Sequence, residues 1–195
     1  GFATYLTHVY VEAKYGTDSL NKRMQKERDE LIEFVNTSNR PVVDSTTDYM
    51  SLLNVNSYQK GGWVLHMLRR QLGDSVFKKA IRKYYETYSG KNADTKDLQK
   101  IFETISGKNL EQFFKQWLYK GENPKLKITW KNISKEKKVA VTVEQKQKEL
   151  FDFPLDIFLI TGLRKNTSKE IRVSKKTETF YFPTNGPLPP RYKSV

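Results

Sequence analysis

The 195-residue chain contains no cysteine, which removes disulfides and thiolate metal sites without choosing a compartment. Histidine is almost as scarce. His8 and His66 are the two present, and a self-contained zinc site needs more ligands than a distant pair provides. No apolar run approaches the length of a membrane span, and the first residues do not read as a signal peptide. An initiating methionine is missing as well. The chain starts directly in an amphipathic pattern, so the expectation is a piece of something longer.

What is present is enough for a core. Hydrophobic residues make up 37% and aromatic residues 13%, which excludes a disordered chain. The length suits one large or two small domains. A formal net charge of +13 raises the question of nucleic acid. The charge is uneven: residues 125–195 carry 16 Lys and Arg against 7 Asp and Glu, and residues 1–124 carry 19 against 15. In the later stretch the lysines mostly alternate with apolar residues, as on the wet face of a sheet, where edge lysines deter aggregation. No nucleic-acid-binding motif accompanies them, so no nucleic-acid partner is expected.

The apolar period divides the chain. Up to about Gly121 it is helical. Phe2, Leu6, Val9 and Ala13 share one predicted face, and Leu20, Met24, Leu31 and Val35 share another, with Asp18 or Ser19 as cap. A long polar connection, "NTSNRPVVDSTTDYMSLLNVN", follows; its length suggests a function or extra local turns. Four further helices are expected from "SYQKGGWVLHMLRRQLG", "DSVFKKAIRKYYETYSG", "DTKDLQKIFETISG" and "NLEQFFKQWLYKG". Gly73 reads as a left-handed cap of the first of these and Asp74 as the cap of the next. After "ENP" the period becomes two. Five strands centred on Ile128, Val141, Ile157, Ile171 and Phe180 alternate with polar turns such as "KNISKEKK" and "LRKNTSKE", as in a small antiparallel β-sandwich. The tail "NGPLPPRYKSV" reads as irregular. The fold expectation is α+β in two domains, a helical region over residues 1–122 and a β-sandwich over 125–195.

The stretch "SYQKGGWVLHML" sets two glycines beside Tyr58 at the head of a helix, where each glycine costs roughly 1 kcal/mol against alanine. On a regular helical wheel of about 100° per residue, Gly61 falls inside the apolar arc and Gly62 about 40° from Tyr58 on its other side. Gly61 then permits close helix approach, and Gly62 leaves open space beside the phenol. From the residues alone Tyr58 is either a rim tyrosine or a hydroxyl aimed into that space. Lys60 reads as a solvated lysine, with a part in shaping the site as the alternative, and His66 as a packing or polar-face histidine.

"GFATY", "SYQKGGWVLHMLRRQLG" and "FFKQWLYKGENPKLKITW", in that order, resemble the zinc aminopeptidases related to aminopeptidase N, a group of gluzincin metallopeptidases. In that family an H-E-x-x-H helix is followed by a glutamate in an N-E-G-F-A context, and these residues bind zinc. A later Y-x-K-G segment carries a tyrosine that assists catalysis, and a β-sandwich follows the helices. The resemblance implies that Tyr58 is the catalytic tyrosine, that Gly61 and Gly62 give clearance near the substrate, and that residues 1–122 are the C-terminal, helical part of a thermolysin-like catalytic domain. It places the zinc-binding glutamate just before Gly1, with the H-E-x-x-H helix and the Gly-x-Met-x-Asn substrate strand earlier still. The expectation is therefore a fragment of a peptide-hydrolysing zinc enzyme. Zinc belongs to the intact parent, no residue of this chain is assigned to a metal, and the fragment is expected to be inactive. It is also expected to self-associate through exposed helix faces. The alternative is a non-catalytic helical plus β-sandwich module that binds protein or peptide.

Overall fold

The computed structural model describes residues 1–160 and 166–183; the predicted irregular tail and the start of the "LRKNTSKE" turn lie outside the described residues. The chain divides into two compact units, Gly1–Asn123 and Pro124–Val195.

In the first unit, α1 (Phe2–Tyr15) and α2 (Thr17–Thr37) are joined through Gly16, at φ 85°, a backbone conformation open to glycine at little cost. Neither Asp18 nor Ser19 caps α2, because the helix already begins at Thr17; Asp18 sits in its first turn, where a carboxylate favours the helix dipole. Then come α3 (Gly61–Leu72), α4 (Asp74–Tyr88), α5 (Thr95–Ser106) and α6 (Glu111–Leu118). Gly73 has a positive φ as expected, but with an extended ψ of 156° it links α3 to α4 rather than forming a left-handed cap. Asp74 opens α4 without capping it, its carboxylate turned to Arg69 and Lys78. A capping box of Asp94 and Asp97 starts α5.

The buried face of α1 differs from the predicted one. Tyr5, His8 and Val11 point inward, while Leu6 and Ala13 are exposed. The reason is polar satisfaction. Tyr5 and His8 find partners on α2 and α3, described below, so their burial carries no orphan-group penalty large enough to turn the helix over. Elsewhere the predicted faces are buried: Leu20, Met24 and Leu31 on α2, Phe77 on α4, Leu98 and Phe102 on α5, and Phe113, Phe114 and Trp117 on α6. Among the described residues no helix is long and apolar enough to cross a membrane.

The second unit holds β1 (Leu126–Ile133), β2 (Lys138–Gln145), β3 (Phe153–Ile160), β4 (Asn166–Val173) and β5 (Thr177–Pro183). They form two small antiparallel sheets, β1-β2-β5 and β3-β4. Val139, Val141, Val143 and Phe182 from the first and Ile157, Leu159, Ile171 and Val173 from the second are buried, the alternation of a half-buried strand. The Lys169 ammonium lies 5.9 Å from the Phe182 ring, linking the two sheets. Buried Gln145 exchanges hydrogen bonds with the backbone of Phe151, 2.8 and 2.9 Å, fixing the passage from β2 to β3.

Candidate active-site segment around Tyr58

Tyr58 does not stand in a regular α-helix. Residues Asn56–Lys60 form a π turn that runs into α3, with the Gly61 N–H reaching back to the Asn56 and Tyr58 carbonyls. Such single π turns insert an extra residue per turn and recur at functional sites. A wheel of 100° per residue therefore misplaces every angle counted across 56–60. Tyr58 emerges 45% exposed. Its N–H donates to the Asn54 carbonyl at 3.2 Å, and its hydroxyl makes no hydrogen bond among the described residues.

Both glycines behave differently from a pair lining open space. A Cβ on Gly61 would stand 3.0 Å from the Cα of Gly1, and one on Gly1 equally close to Gly61. The start of α1 thus meets the start of α3 backbone to backbone, and the Gly1 ammonium donates to the Ser57 carbonyl at 2.6 Å. Gly62 is buried, and its vacant side faces the Thr4 methyl and a Glu27 carboxylate oxygen at 3.7 and 3.8 Å. The clearance beside Gly62 is taken by α1 and α2, not left beside the phenol, because the π turn rotates Gly62 away from the Tyr58 face.

Lys60 is not solvated. It is 2% exposed, and its ammonium donates to the carbonyls of Lys120 and Gly121 at 3.2 and 3.4 Å. Burial pushes its pKa down to about 8. The solvated reading fails here because the π turn that carries Lys60 is enclosed, which no local sequence pattern signals. Asn56, also buried, donates from Nδ2 to the Arg40 carbonyl at 2.7 Å. A Cβ on Gly121 would overlap the Asn39 carbonyl, and the Val43 N–H donates to the Leu118 carbonyl at 2.9 Å. The long connection before Tyr58 consequently follows a set path. Asp44 accepts from Thr46 and Thr47, which hold its carboxyl down at about 2, and Asp48 caps the short 3-10 turn Tyr49–Leu52.

Behind the turn lies a polar network that the sequence reading missed. The Tyr5 hydroxyl and His66 Nδ1 are 3.0 Å apart, and burial, reinforced by Arg70 and Arg69, pushes His66 down to about 4. It is a packing histidine, with Trp63 edge-on at 5.6 Å. Arg69 joins three helices, donating to Glu12 at 2.6 Å and to both oxygens of Asp74 at 2.6 and 2.8 Å. His8 Nε2 and Glu27 Oε1 lie 2.7 Å apart, while His8 Nδ1 and Glu27 Oε2 have no partner among the described residues. The helical row Tyr5–His8–Glu12 is the sequence signal that would have found this face. Among the described residues no three His, Cys, Asp or Glu side chains converge as a metal site.

The fold is similar to that of known aminopeptidase structures. Aminopeptidase A of Legionella pneumophila, solved with aspartic acid, superposes with a TM-score of 0.74 at 21% identity, over 94% of this chain and 21% of that one. An M1 zinc metallopeptidase of Deinococcus radiodurans, bound to a Tyr-Ser-Ala substrate, gives 0.50 at 24% identity, over 60% and 26%. In sequence, residues 1–117 match the Peptidase family M1 domain, and the chain belongs to that family. A probable aminopeptidase 2 of Sulfurisphaera tokodaii is 30% identical over 133 residues, which is 63% of this chain and 16% of that protein. The chain thus spans between a sixth and about a quarter of the length of these relatives.

Proposed function

We propose that the chain is the tyrosine-bearing part of a zinc-dependent aminopeptidase that removes N-terminal residues from peptides. In this reading residues 1–122 belong to the catalytic domain and residues 125–195 form a following β-sandwich-like domain. The observation that carries it is Tyr58 of the Y-x-K-G segment, raised on a π turn with its ring half-exposed and its hydroxyl unpartnered among the described residues. Family membership and the aminopeptidase relatives support it.

Hydrolysis of a peptide bond passes through a tetrahedral intermediate whose oxygen carries negative charge. A phenol is a neutral donor at neutral pH, and a donor aimed at that oxygen stabilises it more than the ground-state carbonyl. Tyr58 performs this step, its ring half-exposed and carried on the π turn. Zinc in the intact parent supplies Lewis acidity and a lowered pKa for bound water. Among the described residues no cluster of side chains would hold the metal, and the family pattern places its ligands ahead of Gly1. The isolated chain is accordingly inactive in this proposal, and turnover of aminoacyl anilides by it, with zinc added, would overturn that part.

The test of Tyr58 is made in the intact enzyme. Tyr58→Phe lowers kcat by roughly 10²–10³-fold with KM little changed, the signature of an interaction made only in the transition state. Undiminished kcat removes Tyr58 from the mechanism.

A further inference from the structure

Several attachments hold the π turn that carries Tyr58: Gln59 Nε2 donates to Glu30 Oε2 on α2 at 3.0 Å, the Asn54 side chain accepts from the Asn56 and Ser57 N–H groups, and three more reach distant backbone carbonyls. From α1 the Gly1 ammonium reaches Ser57 O. From the connection ahead of the turn, Arg40 O receives Asn56 Nδ2. The third attachment is Lys60, whose ammonium crosses to Lys120 O and Gly121 O just beyond α6. Those carbonyls cannot drift, because Gly121 is pressed against Asn39 and Leu118 O is bonded to Val43. A buried cation facing only carbonyls is costly unless its geometry is used. A single residue, Gln59, separates it from Tyr58, within the same turn.

We infer that Lys60 is a positioning residue: its buried ammonium latches the π turn to the carbonyls that follow α6 and thereby sets where the Tyr58 hydroxyl stands. The inference rests on the catalytic reading of Tyr58 but is tested apart from it. The lysine touches no substrate in this account and acts only through the turn. Burial favours the neutral amine, while loss of the proton takes the charge and one donor from the two carbonyl contacts, so the placement of the turn changes as Lys60 titrates.

The charged and titratable groups on the surrounding elements are the Gly1 ammonium on α1, Glu27 and Glu30 on α2, Arg40 ahead of the turn, and Lys120 and Glu122 after α6. The Gly1 ammonium, which burial holds below its ordinary value, is acetylated in the experiment, so that it does not titrate.

The experiment places 4-fluorophenylalanine, which does not titrate, at position 58 of the full chain and follows its fluorine resonance from pH 6 to 10. With Lys60 present the resonance is expected to move with a midpoint near 8. In Lys60→Met and Lys60→Arg that inflection disappears while circular dichroism reports an intact fold. Amide exchange at residues 57–60 is expected to rise about tenfold in Lys60→Met, the loss of one modest hydrogen-bonded constraint. An inflection that survives in either folded variant, or a resonance and exchange rates unchanged by Lys60→Met, overturns the inference. Should Lys60→Met fail to fold, Lys60→Arg alone decides by the same criterion. If Lys60 controls the resonance yet Tyr58→Phe leaves kcat intact in the enzyme, the latch stands and the catalytic reading falls.

Discussion

At the scale of single residues, Lys60 carries the sharpest consequence for stability. Its folded pKa of about 8 lies below the ordinary lysine value near 10.5, so between those values the unfolded chain binds more protons than the folded one. Stability therefore rises with pH across that window, by an integrated ~3 kcal/mol. Denaturation of the native chain and of Lys60→Met from pH 7 to 10 is expected to show the native chain gaining relative to the variant. A constant gap would mean that burial does not disfavour the ammonium. Tyr58 is proposed from the sequence because a short motif marks it. Lys60 is not, since no sequence pattern distinguishes a lysine facing water from one facing the carbonyls of residues sixty positions away. Gly61 is half legible: the wheel puts it toward packed helices, but its partner, Gly1, is a long-range contact.

At the scale of elements, period and punctuation reveal where helices and strands lie, and the structure contains all six expected helices and all five expected strands. Rotation about the helix axis is read less well. On α1 the polar residues Tyr5 and His8 are buried because α2 and α3 bring them partners, and a reading that ranks only hydrophobicity turns that helix the wrong way. The π turn has the same effect at the head of α3 by changing the count of residues per turn. Arg69 is the element-scale clamp, joining α1, α3 and the start of α4 through Glu12 and Asp74. Arg69→Met leaves Glu12 partly buried without its cation and is expected to cost about 3 kcal/mol by chemical denaturation, the lower end for breaking a buried pair. A loss under about 1 kcal/mol would show the pairing to be replaceable by water. Asp74 is held at about 2, chiefly by its hydrogen bonds to Arg69, so its share of the clamp is present above the ordinary carboxylate range and lost as pH falls through 2.

At the scale of the whole molecule, the two units differ in charge and in construction. The helical unit leaves Leu6, Tyr10 and Ile32 exposed on α1 and α2, and Tyr49, Met50 and Leu53 exposed ahead of Tyr58. Apolar surface of this kind favours association, and the isolated chain is expected to self-associate. Light scattering should show an apparent mass that grows with concentration; a constant monomer mass would count against it. The basic excess of residues 125–195 reads as wet-face lysines, and β1 carries two in that way, Lys127 and Lys131 being exposed while Leu126 and Ile128 are half-buried. The order of the two sheets was beyond the sequence, because strand pairing across β2 and β5 depends on contacts between segments far apart in the chain.

The enclosure of Lys60 also makes it a chemical clock. Amine-acylating reagents need an amine that is both unprotonated and reachable, and near pH 8 about half of the Lys60 population meets the first condition while almost none meets the second. The time this one lysine takes to acquire a label, set against that of an exposed lysine such as Lys26, therefore records how often the turn beneath Tyr58 comes open.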